Sequence, residues 1–333
     1  MDYWNITSRA QHLHSESLVW DNQVCLPYSK DNRWMNELER HRRAGVDMVI
    51  LSIAGNDGCG IETLTRTAAN FRYWIDRHSD KYRLALAPED IVAAKPANKL
   101  AVAFSVENPG DMKGQISLVS LYYSLGVRWM TMVYNRTNCI GGGCHEEDSG
   151  LTDFGLQVIK EMDRVGMVKC CSHTGYRTAM DVFSNTDKPT IFSHSNPLSL
   201  QDHPRNIPDT LIDACAASGG VVSLNGIGVF LGNNDTRPAT LVRHIDYVVQ
   251  RAGIEHVGIG IDYCYGIGEL HQTLAETQDV WPSRLGYGPD MAIMEPEKIP
   301  QITEELLKLN YSDDSIRKIL GENLLRVANE VWQ

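Results

Sequence analysis

The sequence has no apolar run approaching the length of a membrane span, which sets aside a transmembrane helix. Its N-terminus, MDYWNITSRAQHLHSE, lacks the apolar core of a signal peptide, and its C-terminus, LLRVANEVWQ, reads as the end of an amphipathic helix and not as a lipid-anchor tail. Positive charge is scarce: 31 basic residues stand against 42 acidic ones, a formal net charge of −11. A nucleic-acid duplex or an anionic membrane is repelled on average by such a chain, so neither is an expected partner. None of the eight cysteines forms a CxxC pair, which fits free thiols in a cytoplasmic protein. There is no internal repeat and no low-complexity tract. The GGG at 141–143 lacks the GxxxxGK[ST] spacing of a phosphate loop, and the GxG of GIGID (258–262) opens no helix as a dinucleotide fingerprint would.

What is present is an ordinary globular composition, 43% hydrophobic and 22% charged over 333 residues. Eight short, nearly continuous apolar runs read as strands buried on both faces. They are 17–23, 46–53, 99–107, 126–134, 166–173, 188–195, 219–226 and 256–262. Between them, 34–45, 117–126, 152–166 and 240–253 carry helical spacing and close on Gly45, Gly126, Gly166 and Gly253. Strand and helix alternating in this way predict an α/β fold, a parallel (β/α)8 barrel formed by residues 1–333 as one domain. A doubly wound open sheet also explains the alternation, but not the polar and titratable residues that end so many strands. Residues 61–91 predict a helix, a turn and a second capped element, and 311–332 predict C-terminal helices against the outside or floor of the barrel.

Barrel active sites lie at the C-terminal strand ends. In order those ends carry Gln23 and Cys25, Ser52, Glu107, Tyr134, His173, His194, Asn225 and Asp262. Two histidines, a glutamate and an aspartate on one rim predict a metal or acid–base site. The loop 136–150 brings Cys144, His145, Glu146 and Glu147 near the same rim; a solvated acidic loop is the simpler reading there than a metal site. Cys170 and Cys171, inside a strand-like run, read as buried structural thiols.

The ordered motifs FSVEN, TMVYNRTN, GLTDFGLQVIKEMDRVGM, SHTG, IFSHSN, HPRNIPD, GIGIDY and ILGENLLRV resemble the membrane (renal) dipeptidase family of zinc peptidases, over roughly residues 18–330. The resemblance implies an amidohydrolase-like barrel that hydrolyses small dipeptides, some with a D-residue on the carboxyl side, commonly with two zinc ions and as a homodimer. By position, Glu107 matches a carboxylate that bridges the metals, and His173 and His194 match the imidazole ligands of one metal. Asp262 matches the carboxylate near the reacting water, and Arg205 matches an arginine lining the substrate pocket. Tyr134 stands where many members have a histidine facing the reacting carbonyl oxygen; a phenol still donates a hydrogen bond there. The family's first-strand His-x-Asp pair aligns with Gln23 and Cys25, so both ligands of the other metal are changed.

Three protein ligands are the usual complement of a catalytic zinc, so Glu107, His173 and His194 suffice for one ion, with Asp262 as base. Residues i and i+2 of a strand share a face, so Gln23 and Cys25 are expected to face the pocket together. A Cys25 thiolate is a good zinc ligand and the Gln23 amide a poor one. The expectation is one tightly held zinc on the histidine side and a weak or absent second. Cys25 also reads as a small buried thiol or, with a nearby base, a nucleophile; Gln23 reads as a hydrogen-bond partner of Asp262. The functional expectation is a metal-dependent hydrolase of a small dipeptide or related amide. The alternative is an inactive or repurposed barrel that binds a small amino-acid-derived ligand.

Overall fold

The computed structural model describes residues 4–27, 32–55 and 60–333. The first three residues of the polar N-terminal stretch, Tyr28 and Cys59 lie outside these; the seven other cysteines are free thiols. Among the described residues ten strands form one parallel sheet: β1 Trp20–Cys25, β2 Met48–Ser52, β3 Tyr82–Leu84, β4 Leu100–Val106, β5 Val127–Thr131, β6 Val168–Cys170, β7 Thr190–Ile191, β8 Val222–Leu224, β9 Val257–Ile259 and β10 Tyr263–Cys264. The sheet runs β7-β6-β5-β4-β2-β1-β9-β8, with β3 on β4 and β10 on β1. Its two ends meet through a parallel bridge between Phe192 and Val222 and through backbone bonds Phe192 N–H to Val221 O (3.0 Å) and Ser223 N–H to Phe192 O (2.8 Å). The sheet therefore curls into a nearly closed eight-stranded barrel, which sets aside the open doubly wound alternative. Two short strands go beyond the sequence expectation. β3 shares the lower edge of β4, and β10 is the upper half of the last strand, separated from β9 by Gly260–Asp262.

The barrel closes where side chains would obstruct it. A Cβ on Gly220 would lie 1.9 Å from Thr190 O, across the seam between β7 and β8. The expected helices are present at Leu118–Leu125, Asp153–Val165 and Pro238–Ala252, each ended by a glycine at positive φ (106°, 82° and 94°). The helix expected over 34–45 is a 3-10 turn Arg33–Leu38 running into a short helix Glu39–Arg43. Between β2 and β4 lie a helix Ile61–Arg77, β3 and a helix Pro88–Ala94.

Alternation along the strands divides the apolar residues between two cores. Val49, Leu51, Val102 and Phe104 pack outward under the helices. Met48, Ile50, Ala101, Ala103 and Trp129 fill the barrel interior. The C-terminal helix Asn323–Val331 and Trp332 complete that inner core, so the tail forms the floor, with Trp332 edge-on to Trp20. No described helix is long and apolar enough to cross a membrane.

Candidate active site

β1 sets the first part of the site. Trp20 points into the barrel, and strict alternation would then turn Gln23 and Cys25 outward. A bulge between Asp21 and Val24 shifts the register against β2 and reverses the phase, so both face the mouth. Asp21 anchors the bulge from behind: its Oδ1 accepts from Ile261 N–H (2.9 Å) and its Oδ2 lies 3.0 Å from His41 Nε2.

Glu107, one residue past β4, is buried. Gln23 Nε2–H donates to its Oε2 at 2.7 Å, while its Oε1 has no hydrogen-bond partner. That free oxygen lies 3.5 Å from His173 Nε2 and 3.3 Å from His194 Nε2, and the two nitrogens are 2.9 Å apart. Each imidazole is held at its other nitrogen: His194 Nδ1 lies 2.7 Å from Ser193 Oγ, and His173 Nδ1 lies 2.7 Å from Asn135 Oδ1. Arg205 Nε–H is also directed at His173 Nδ1, at 3.1 Å; a proton on Nδ1, given to the nearer Asn135 Oδ1, is the tautomer that leaves Nε2 for a metal. In that form His173 Nε2 is bare toward His194 Nε2 and Glu107 Oε1. Burial, and next the Arg205 charge, hold His173 well below the usual imidazole range. Burial pushes His194 down to about 3, against the pull of Asp262. Burial also raises Glu107 to about 7.

Three atoms able to ligate a metal thus converge in a buried place. Donors about 2.0–2.1 Å from a shared ion at tetrahedral angles lie ~3.3 Å apart, close to the observed spacings. The orphaned Glu107 Oε1 and the donor chemistry both fit a divalent metal.

Asp262 occupies the break between β9 and β10. Its φ is +60°, and His173 is likewise left-handed at +67°, a cost of order 1–2 kcal/mol per residue that directs both side chains into the mouth. Asn225 Nδ2–H donates to Asp262 Oδ2 at 2.9 Å, and burial raises the carboxyl to about 6. This corrects the expectation for Gln23. Its side chain goes to Glu107 and approaches Cys25 Sγ at 3.4 Å, and only its carbonyl meets Asp262, through the Asp262 N–H. Cys25 Sγ lies 3.8 Å from Asp262 Oδ1, and its thiol is raised well above the ordinary range by Cys264, by burial and by the nearby acids. A raised thiol beside carboxyls is the reverse of an activated nucleophile.

Above these groups opens a cavity of 370 Å³. Cys25, Glu107, Tyr134, His173, Asp262 and Cys264 form its base; Phe230, Trp281 and Tyr287 are among the walls; Arg33 and Glu269, paired at 3.0 Å, stand at its side. Tyr134 stacks on the His173 ring with centroids 4.2 Å apart. Arg205, expected at the substrate pocket, lines a neighbouring cavity with His173, Cys144 and Asn206. It is 2% exposed, does not line the cavity above Glu107, and donates to Ser195 Oγ (3.0 Å) and His194 O (2.9 Å), so it braces the histidines from behind. The loop 136–150 braces the wall: Glu146 pairs with Arg136, and His145 lies 3.2 Å from Tyr287 OH. Sequence reasoning missed Asn135, Trp281, Tyr287 and Cys264. The signal for Cys264 was its i+2 spacing from Asp262, the same spacing as Gln23 and Cys25.

A model of the membrane dipeptidase family (Peptidase family M19) matches residues 7–281. The chain belongs to this family. Among similar proteins, dipeptidase verJ of Clonostachys rogersoniana is 30% identical over 260 residues, 77% of this chain and 62% of that one. The uncharacterized dipeptidase C965.12 of Schizosaccharomyces pombe is 30% identical over 276 residues, 80% and 61%. The chain therefore spans less than two thirds of the length of these relatives. An amidohydrolase structure from Pseudomonas aeruginosa superposes with a TM-score of 0.89 at 28% identity, covering 97% of this chain and 99% of that one. A metallo peptidase from Rhodobacter sphaeroides, liganded with a phosphinate mimic of L-Ala-D-Ala, shares the fold at TM-score 0.78 and 17% identity, covering 95% and 100%.

Proposed function

We propose that this member of the family is a metal-dependent hydrolase of a small dipeptide or related amide, working with one zinc ion held by Glu107, His173 and His194. The observation that carries the reading is the convergence of Glu107 Oε1 with the Nε2 atoms of His173 and His194 beside an ionisable Asp262. Gln23 argues against a second ion bridged through Glu107, because its amide hydrogen-bonds the Glu107 oxygen that such an ion would need. Zinc in that position supplies Lewis acidity toward an amide carbonyl and toward water.

The chain's own groups do the rest. Asp262, fixed at Oδ2 by Asn225, takes a proton from the attacking water and passes it to the leaving nitrogen. Its elevation to about 6 brings its basicity near neutrality, where a carboxylate gives back what it has accepted. Tyr134, at the base of the cavity, offers a phenolic hydrogen to the oxyanion. Asn135 favours the tautomer of His173 that a metal needs, and Arg205 braces the ring from behind. The aromatic walls exclude water, and the Arg33–Glu269 pair suits the charged ends of a dipeptide. The same reading includes a homodimer in the cytoplasm, which light scattering and cell fractionation test.

Metal analysis of the purified protein, with a panel of L,L- and L,D-dipeptides, tests the hydrolase. Chelator-sensitive turnover that disappears in His194→Ala, with the fold retained, is the expected result. Absence of both bound metal and turnover overturns it. A second reading, a barrel that binds such ligands without turnover, draws on the changed first-strand pair at Gln23 and Cys25 and predicts saturable binding with no product.

A further inference from the structure

The geometry points to a second cation site of a different kind, made by Cys25, Cys264 and Asp262 and suited to zinc or a softer divalent ion. Cys25 and Cys264 end two neighbouring parallel strands and are register partners. Partners in a parallel pair project from the same face, so the thiols stand side by side. One ligand atom from each of the three residues lies within 4.8 Å of the other two, and Cys25 Sγ is 3.8 Å from Asp262 Oδ1. With metal–sulfur bonds of about 2.3 Å and tetrahedral angles, ligand atoms sharing an ion lie ~3.8 Å apart.

All three residues line the cavity, so an ion reaches them from solvent without opening the fold. Two structural thiols would be expected to turn into the core, as Cys170 and Cys171 do; Cys25 and Cys264 are both only partly buried. The donor set decides the ion. Two sulfurs and one carboxylate oxygen favour zinc, cadmium or cobalt over magnesium or calcium. Both thiols give up protons on binding, so two thiolates and one carboxylate meet two positive charges. The two ions share no ligand atom, although an ion on Asp262 Oδ1 takes the oxygen that the unoccupied residue offers as base. Glu107 Oε2 stays with Gln23, and Asp262 Oδ2 stays with Asn225, leaving Oδ1 for the new ion.

This site goes beyond the one-zinc hydrolase and does not depend on turnover. The test is titration of the full chain, reduced and stripped of metal, with Co²⁺ in the absence of oxygen. The expected result is two equivalents bound and a thiolate-to-cobalt charge-transfer band. Cys25→Ser and Cys264→Ser should each lose the band and one equivalent, whereas His194→Ala should lose the other equivalent and keep the band. A wild-type protein without the band, or serine variants that retain it, overturns the site. If the serine variants fail to fold, alkylation of the wild type decides: Zn²⁺ should shield Cys25 and Cys264 from iodoacetamide, and equal labelling with and without Zn²⁺ overturns the proposal.

Discussion

Asn135 shows how much of the chemistry rests on residues that never touch a substrate. Its Oδ1 accepts a hydrogen bond from His173 Nδ1–H in the tautomer that bares the nitrogen facing Glu107. Asn135→Ala should weaken metal affinity about 10–100-fold, the usual effect of losing such a partner, with little change in fold. Competition with a chromophoric chelator measures it. Asp262→Asn keeps the side-chain shape but removes the base; kcat should fall about 10²–10⁴-fold while the zinc content on the histidine side stays the same. The sequence disclosed Glu107, His173, His194 and Asp262 because strand ends can be counted. It concealed Asn135 and the inward turn of Arg205. The contacts of both depend on loop conformation, including a left-handed Asn135, which apolar periodicity does not encode.

At the scale of elements, the first and last strands make the site. The β1 bulge reverses the inward phase after Trp20, and the break between β9 and β10 turns Asp262 inward at positive φ. The sequence order of eight strands was legible from their apolar runs, and helix ends were legible from glycines that adopt positive φ. The bulge was not: Asp21-Asn22-Gln23 reads as uninterrupted strand, and only pairing with β2 reveals the extra residue. Closure also depends on one small residue. Gly220→Ala would set a Cβ against Thr190 O and force the β7–β8 seam apart. A loss of about 1–3 kcal/mol is expected from such overpacking, read as a lower urea midpoint. An unchanged midpoint would mean the seam yields freely.

For the whole molecule, stability carries a pH signature from histidines buried neutral. His14 donates from Nε2 to Ala44 O and accepts at Nδ1 from Thr303, both at 2.9 Å, and burial lowers it to about 4. Burial lowers His244 to about 4 as well. A folded-state value below the unfolded 6.5 means that the unfolded chain takes up protons first. Their contribution is therefore full above 6.5 and lost as pH falls to about 4, up to roughly 3 kcal/mol for each. In the metal-free protein Glu107 and Asp262, raised to about 7 and about 6, act in the opposite sense, so the test is a difference. Urea midpoints of wild type and His14→Gln should converge as pH falls through that window; parallel curves would contradict the assignment. Metal binding adds to the folded state by mass action, so chelation should cost about 3–4 kcal/mol relative to protein held at a hundred to a thousand times its Kd.

The most direct measurement of the central claim is anomalous scattering from crystals of the zinc-loaded protein, recorded on both sides of the zinc absorption edge. A peak is expected within bonding distance of Glu107 Oε1, His173 Nε2 and His194 Nε2. A zinc-loaded crystal with no peak among those three atoms would contradict it.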